Sequence, residues 1–178
     1  MKKIVLILAL AFTTLATHAQ GTIFFNNRTS AGDVPISLPD GSGVGSLGNV
    51  NAQLYLQPAG GGALVPLNPA TTFRTTSPAA MYFVNPVDVT VPGYAPGTSA
   101  TVIMRVWQGA DYASATIRGE SAPLTIAALG GVNPGTGAIV PTPDLAGLQT
   151  FTLTVIPEPS TIALGVLGAA ALLYRRRK

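Results

Sequence analysis

The stretch Thr101–Gln108, with the sequence TVIMRVWQ, decides the fold class of this chain. Its alternating apolar residues are Val102, Met104 and Val106. Asn51–Gln57, with the sequence NAQLYLQ, has the same alternation. An apolar residue at every second position is typical of a strand that buries one face. The two segments therefore predict half-buried β-strands.

Further short segments extend this pattern along the chain. The other predicted strands are Thr22–Asn27, Met81–Val84, Val87–Val91, Pro123–Ala127 and Thr150–Val155. Gly- and Pro-rich turns separate them, and Gly32–Gly48 is predicted to be a long exposed loop. Apart from one short helical turn predicted over Ala110–Ile117, the body has no sustained 3.6-residue period. We therefore expect an all-β fold, with an antiparallel β-sandwich body over residues 20–154.

The charge distribution excludes one class of function. Only 10% of the residues are charged, against about 25% in an average soluble protein. Six of the ten basic residues lie in the terminal segments. Between residues 20 and 154, four basic and six acidic side chains leave a net charge of −2. Nucleic-acid binding requires clustered Lys and Arg, so no nucleic-acid partner is expected.

The N-terminus has the pattern of a secretory signal peptide. Basic Met1-Lys2-Lys3 precedes the apolar run Ile4–Leu15, and the small residues of Thr17-His18-Ala19 follow. This arrangement predicts a signal helix over residues 1–19, cut by signal peptidase between Ala19 and Gln20. The alternative is an uncleaved anchor, although the run is short for a membrane span.

The residue inventory limits the chemistry of the mature chain. The sequence has no cysteine, and its only histidine, His18, would leave with the signal peptide. Imidazole is the usual base that activates serine and the commonest metal ligand. A Ser-His-Asp hydrolase, a thiol enzyme and a His- or Cys-based metal site are therefore excluded, and no cofactor is expected.

The C-terminus predicts a membrane anchor. The apolar run from Ser160 to Tyr174 spans 15 residues, and a basic cluster follows, consisting of Arg175, Arg176, Arg177 and Lys178. At ~1.5 Å per residue the run is shorter than a ~30 Å hydrocarbon core, a gap that snorkelling arginines can cover. Basic clusters stay cytoplasmic. Both termini are thus predicted in the cytoplasm of an inner-membrane precursor, with the body in the periplasm.

The last 24 residues, 155–178, resemble a known sorting signal. Pro157, Glu158, Pro159 and Ser160 precede the short apolar run and the terminal basic cluster, in the order of a PEP-CTERM sorting signal. The resemblance implies processing by an exosortase, a membrane enzyme of Gram-negative bacteria, with Glu158 and its prolines as the recognition site. It also implies delivery to the cell surface and an association with biofilm and exopolysaccharide. The alternative is a plain tail anchor.

The body offers a few weaker candidate sites. Trp107 and Tyr55 lie on polar faces of predicted strands, where they could stack on a sugar ring, although a Trp more often covers a sheet edge or packs beneath a loop. Asp33 and Asp40 flank a loop that could hold Ca²⁺, but the alternating acids of such sites are missing. Asn27-Arg28-Thr29 satisfies the glycosylation sequon.

These observations favour a non-enzymatic surface or extracellular-matrix protein with a structural or adhesive role. The alternative is a carbohydrate-binding module that acts on the exopolysaccharide. A hydrolase that uses two of the scattered carboxylates is a third hypothesis, because glycosidases need such a pair ~5–10 Å apart.

Overall fold

A computed structural model describes residues 20–156 together with Gly165 and Leu167. Nearly all the regular structure in this range is β-structure. The strands in chain order are β1 (Gly21–Phe25), β2 (Arg28–Thr29), β3 (Gly32–Asp33), β4 (Val50–Gln57), β5 (Val65–Pro66), β6 (Thr71–Thr72), β7 (Val87–Val91), β8 (Ala100–Gln108), β9 (Ile117–Glu120), β10 (Leu124–Ile126), β11 (Gly131–Val132), β12 (Ile139–Val140) and β13 (Thr154–Val155).

The central pair of the fold is β4 and β8. They run antiparallel in register from Val50 opposite Gln108 to Gln57 opposite Thr101. The main sheet has the order β13-β9-β8-β4-β5, with β10 also paired to β8 and β6 to β4. In β4 every second residue is buried, as the sequence alternation requires. This pair therefore gives the sheet one face toward the core and one face away from it.

A second ladder contributes to the same core. β1 and β7 pair antiparallel, with Gly21 opposite Val91 and Phe25 opposite Val87. Buried side chains of this ladder share one hydrophobic cluster with those of the main sheet, and they include Ile23, Phe25, Val89, Val91, Leu54, Val102, Met104 and Val106. Burial of these side chains at about 25 cal/mol per Å² of apolar surface is the main driving force for folding.

The prediction of an all-β, antiparallel fold is confirmed. Strands β7 and β10 lie within predicted segments, and β1, β4 and β8 overlap theirs but begin one residue earlier. Residues 81–84 are wrong as a strand: they form a turn in which only Val84 bridges to Phe73. The chain turns here because the amides of Ala80 and Phe83 donate to the carbonyl groups of Ser77 and Ala80. Residues 150–155 are a strand only at their last two positions.

The segment Gly32–Gly48 is not the exposed loop that its Gly and Ser content suggests. Ile36, Leu38 and Val44 are buried in the hydrophobic core. Val44–Leu47 forms a 3₁₀ turn. The segment enters the core because these apolar side chains pack into the same cluster as those of the strands, and their burial is favourable. Residues 110–117 hold a hydrogen-bonded turn, in which the Ser114 amide donates to Asp111, rather than a helix.

The two predicted helices, the signal helix over residues 1–19 and the C-terminal transmembrane helix, lie outside the described residues. Within residues 20–156, and at Gly165 and Leu167, no helix is long and apolar enough to cross a membrane.

Candidate functional site

The described body ends one residue before the predicted sorting motif. β13 lies at the edge of the main sheet, with Thr154 opposite Arg118 and Val155 opposite Ile117 of β9. The Ile156 amide then donates to the Thr116 carbonyl at 2.6 Å. Chain connectivity therefore places Pro157 immediately beyond the last hydrogen bond of the sheet.

Burial and pairing change sharply along this closing segment. The Leu153 side chain is 0% exposed, and its amide donates to the Ser37 carbonyl at 3.0 Å. Val155 is 60% exposed and Ile156 is 38% exposed. Packing in the core thus fixes the chain as far as Leu153. The next three residues are held mainly by hydrogen bonds at the edge of the sheet.

The predicted sorting residues Pro157, Glu158, Pro159 and Ser160 lie outside the described residues. The same holds for the basic cluster Arg175, Arg176, Arg177 and Lys178, and for Ala19 at the signal cleavage site. Gln20, the residue predicted to follow that cut, is described and is exposed. The start of the mature chain predicted from the sequence is therefore accessible on the body, one residue before β1.

The second candidate site lies on the face of the main sheet that points away from the core. We call it the stacked cluster, and it consists of Tyr55, Arg105, Trp107, Tyr112, Arg118 and Glu120. The Arg105 guanidinium carbon lies 4.8 Å from the Tyr55 ring centroid and 4.5 Å from that of Tyr112. Its Nε donates to Glu120 Oε2 at 2.9 Å. Arg105 is therefore packed between two aromatic rings and neutralised by a carboxylate.

Trp107 is buried beneath a loop, the more common of the two arrangements expected for it, and this burial does not favour the alternative of a ring that stacks on a sugar. Its side chain is 6% exposed, and Tyr112 packs against it edge to face with ring centroids 6.1 Å apart. Trp107 Nε1 has no hydrogen-bond partner among the described residues. Tyr55 is half-buried, with Arg105 over its ring. A sugar could stack on Trp107 only if the loop that carries Tyr112 moved.

The sequence pattern does not predict that Tyr112 belongs to this cluster. It lies in the loop between β8 and β9, so no strand alternation connects it with Trp107. Arg118 Nη1 donates to the carbonyl groups of Tyr112 and Ala113 at 2.7 Å each, and its guanidinium carbon lies 5.2 Å from the Tyr112 ring centroid. The sequence does indicate a turn at this position, because Asp111 and Ser114 have the spacing of a turn that is capped by a side chain.

We expect the phenol of Tyr112 in the stacked cluster to titrate at alkaline pH. Burial, followed by the nearby Glu120 charge, raises the pKa of Tyr112 above its ordinary value of 10.0. Because the neutral phenol is favoured in the folded state, this stabilisation is present below pH 10 and is lost as the pH rises through the raised pKa. We expect phenolate absorbance to show one late step in the native protein. Tyr112→Phe should remove that step, and an unchanged titration curve would contradict the assignment.

Five of the six acidic side chains of the described body bond to basic or polar neighbours one by one, and the sixth, Asp88, is exposed. Asp33 forms an ion pair with Arg28 at 3.1 Å, and Glu120 pairs with Arg105. Hydrogen bonds from Ser42 and Ser114 lower the pKa values of Asp40 and Asp111, respectively. Lowered values keep these carboxylates ionised, which does not suit a general acid. Across the described residues, no group of three or more His, Cys, Asp or Glu side chains could hold a metal ion.

Asn27 of the sequon is part of the core rather than a surface acceptor. Its side chain is 0% exposed. Its Nδ2 donates to the Val34 and Tyr82 carbonyl groups at 2.8 and 3.0 Å, and its Oδ1 accepts from the Val84 amide at 2.9 Å. A glycan on this nitrogen would replace one of its two hydrogens and break one donor bond, and it would need space beside a fully buried side chain, so the sequon has no support as a modification site in the folded protein.

Comparison with known proteins identifies the tail alone. Residues 155–178 match the family model described as the PEP-CTERM protein-sorting motif. The sorting signal predicted over residues 155–178 is thus confirmed, and it implies handling by an exosortase-like enzyme. No curated protein and no solved structure matches the chain. Any activity of the body must therefore be argued from its own geometry.

Proposed function

We propose that this protein is a non-enzymatic structural or adhesive component of the bacterial surface or extracellular matrix. An exosortase-like enzyme processes it at its C-terminal motif. The observation that carries the proposal is the sorting-motif match over residues 155–178. The matched region begins at Val155, the last residue of β13, so it overlaps the end of the folded body in the sequence.

The proposed route begins with export and removal of residues 1–19 by signal peptidase. The precursor then spans the inner membrane through a single C-terminal helix, with Arg175–Lys178 in the cytoplasm. The body, a two-layer β-sandwich of the main sheet and the β1–β7 ladder, lies in the periplasm. Processing near Glu158 then delivers the body to the cell surface or beyond, where exopolysaccharide is the surrounding polymer.

The chemistry of the body supports a role without catalysis. Its carboxylates are engaged separately by Arg28, Arg105 and short polar turns, and signal-peptide removal leaves it without histidine. Nothing in these contacts favours the two-carboxylate hydrolase. The alternative of a carbohydrate-binding module with stacking through Trp107 and Tyr55 has no support from the burial of Trp107.

Intact-mass analysis of the protein recovered from cell fractions tests the route. We expect the surface or culture-medium fraction to contain a chain that starts at Gln20 and has lost its terminal basic cluster. A membrane fraction should contain a precursor with residues 175–178 still present. The control is the same analysis in cells without the processing enzyme, where only the membrane form should accumulate. Full-length protein in the cytosol, with Met1 intact, would contradict the proposal.

A further inference from the structure

Arg74 is placed unlike the other arginines of the described body. Arg28 and Arg105 form ion pairs with carboxylates, and Arg118 donates to two carbonyl groups. Arg74 donates only from Nε, to the Val84 carbonyl at 3.1 Å. Within residues 20–156 its two terminal nitrogens have no hydrogen-bond acceptor, and no carboxylate pairs with it. A half-buried guanidinium with two unused nitrogens is ready to bind an anion in a bidentate manner.

Arg74 lines a cleft of about 380 Å³ whose walls are partly polar and partly apolar. Its polar lining side chains are Asn49, Thr72, Arg74, Thr75, Thr76 and Asn85. None of the lining residues is acidic, so the Arg74 charge is not neutralised inside the cleft. Its volume falls within the range of small-ligand sites, about 300–1,000 Å³.

The fold holds Arg74 firmly in this position. Its amide donates to the Phe83 carbonyl at 2.9 Å, in addition to the Nε bond to Val84. The 3₁₀ turn Val44–Leu47 packs against the Arg74 backbone, because Gly45 lies so close that a Cβ there would overlap the Arg74 carbonyl oxygen. Backbone contacts thus fix both Arg74 and the neighbouring turn, so the cleft is largely preformed, which lowers the entropic cost of binding.

We propose that this cleft binds a carboxylate-bearing sugar unit of an acidic polysaccharide. The Arg74 fork complements a planar carboxylate, and the surrounding threonine hydroxyls and asparagine amides can exchange hydrogen bonds with sugar hydroxyls. The body as a whole carries −2, so an extended polyanion would be repelled, and the contact is confined to one or a few units. This inference rests on the proposed adhesive function, since it names the polymer that the body holds.

Binding of defined oligosaccharides to the mature protein recovered from cells tests the site. The probes are tetragalacturonate, neutral maltotetraose and inorganic phosphate, measured by titration calorimetry at low salt. We expect tetragalacturonate to bind at least about tenfold more tightly than either of the others, because only it presents both a carboxylate and sugar hydroxyls. Equal affinity for phosphate would mean a simple anion site and would overturn the sugar assignment.

Variants locate the contact. Arg74→Gln should weaken tetragalacturonate binding by about tenfold or more, and Arg74→Lys should weaken it less, because the charge stays while the fork is lost. Arg28→Gln, which removes the same charge from the exposed pair with Asp33, should leave the affinity within about twofold. Thermal melting verifies that each variant is folded. If Arg74→Gln does not fold, the comparison is made with Arg74→Lys. Equal binding by the wild type and the Arg74 variants, or no binding by the wild type, would overturn the proposal.

The intact mass of the same preparation distinguishes failure of the proposed cleft from failure of the proposed processing route. A correctly processed chain that does not bind tetragalacturonate would refute the proposed binding site in the cleft, and the proposed surface role would remain. A chain without processing would refute the route, whatever it binds.

Discussion

Replacing Glu158 by alanine is expected to leave the protein in the inner membrane while its export continues. Glu158 is the only acidic residue between residues 155 and 178, and a proline flanks it on each side in the sequence. An enzyme pocket that pairs with a charged group loses that pairing when the carboxylate is removed. We therefore expect surface delivery to fall at least about a hundredfold, in line with the discrimination of sites built around a polar group.

Fractionation and immunoblotting of cells that express the Glu158→Ala variant measure this effect. The matched control is Asp88→Ala, which removes one exposed carboxylate from strand β7 of the body and should be delivered normally. Glu158→Gln separates charge from shape, since it keeps the side-chain length. Unchanged surface delivery of Glu158→Ala would show that the enzyme recognises the prolines or the basic cluster without the acid.

Asn27→Leu is expected to cause a large loss of stability. The Asn27 side chain is fully buried and bonds three backbone groups, one in the nearby residue Val34 and two in the distant residues Tyr82 and Val84. Leucine would leave the Val34 carbonyl and the Val84 amide without a partner inside the core, and the Tyr82 carbonyl would keep only its bond from the Ile36 amide at 3.3 Å. At about 1–3 kcal/mol for each buried unsatisfied group, partly relieved by relaxation, we expect a loss of about 3–5 kcal/mol.

Urea unfolding of the mature protein measures this loss as a shift of the midpoint. Asn133→Ala is the control, because the Asn133 side chain makes one local, exposed hydrogen bond to the Gly135 amide. That variant should lose no more than about 1 kcal/mol. A loss below about 1 kcal/mol for Asn27→Leu would mean that water replaces the three bonds and that the site is not sealed.

The sequence predicts those parts of the fold that depend on local alternation. Strands β4 and β8 follow from their own side chains, because each buries one face of a two-residue period. The same period puts Trp107 on the outer face, but its burial depends on Tyr112, which reaches it from a loop. Similarly, the role of Asn27 depends on backbone groups 55 and 57 residues away.

The Arg74 cleft illustrates why a site of this kind escapes sequence analysis. Nothing next to Arg74 in the chain marks it as unpaired, since pairing depends on where six scattered carboxylates lie after folding. The cleft wall also needs Gly45, about thirty residues earlier, to lie against the Arg74 backbone. The tail, in contrast, is recognisable because its motif, apolar run and basic cluster are contiguous, so no folding is needed to assemble them.

The closing strand also has a mechanical consequence. A tension applied from beyond Ile156 would break the hydrogen bonds of this edge one after another instead of several together. The bond from Ile156 to the Thr116 carbonyl would break first, and the pairing of Thr154 with Arg118 would break next. Up to Leu153 this frees three residues, or about 10 Å of extended chain at ~3.3 Å per residue. A membrane-embedded enzyme could therefore draw in that length of polypeptide while the hydrophobic interior, sealed by Leu153, stays intact.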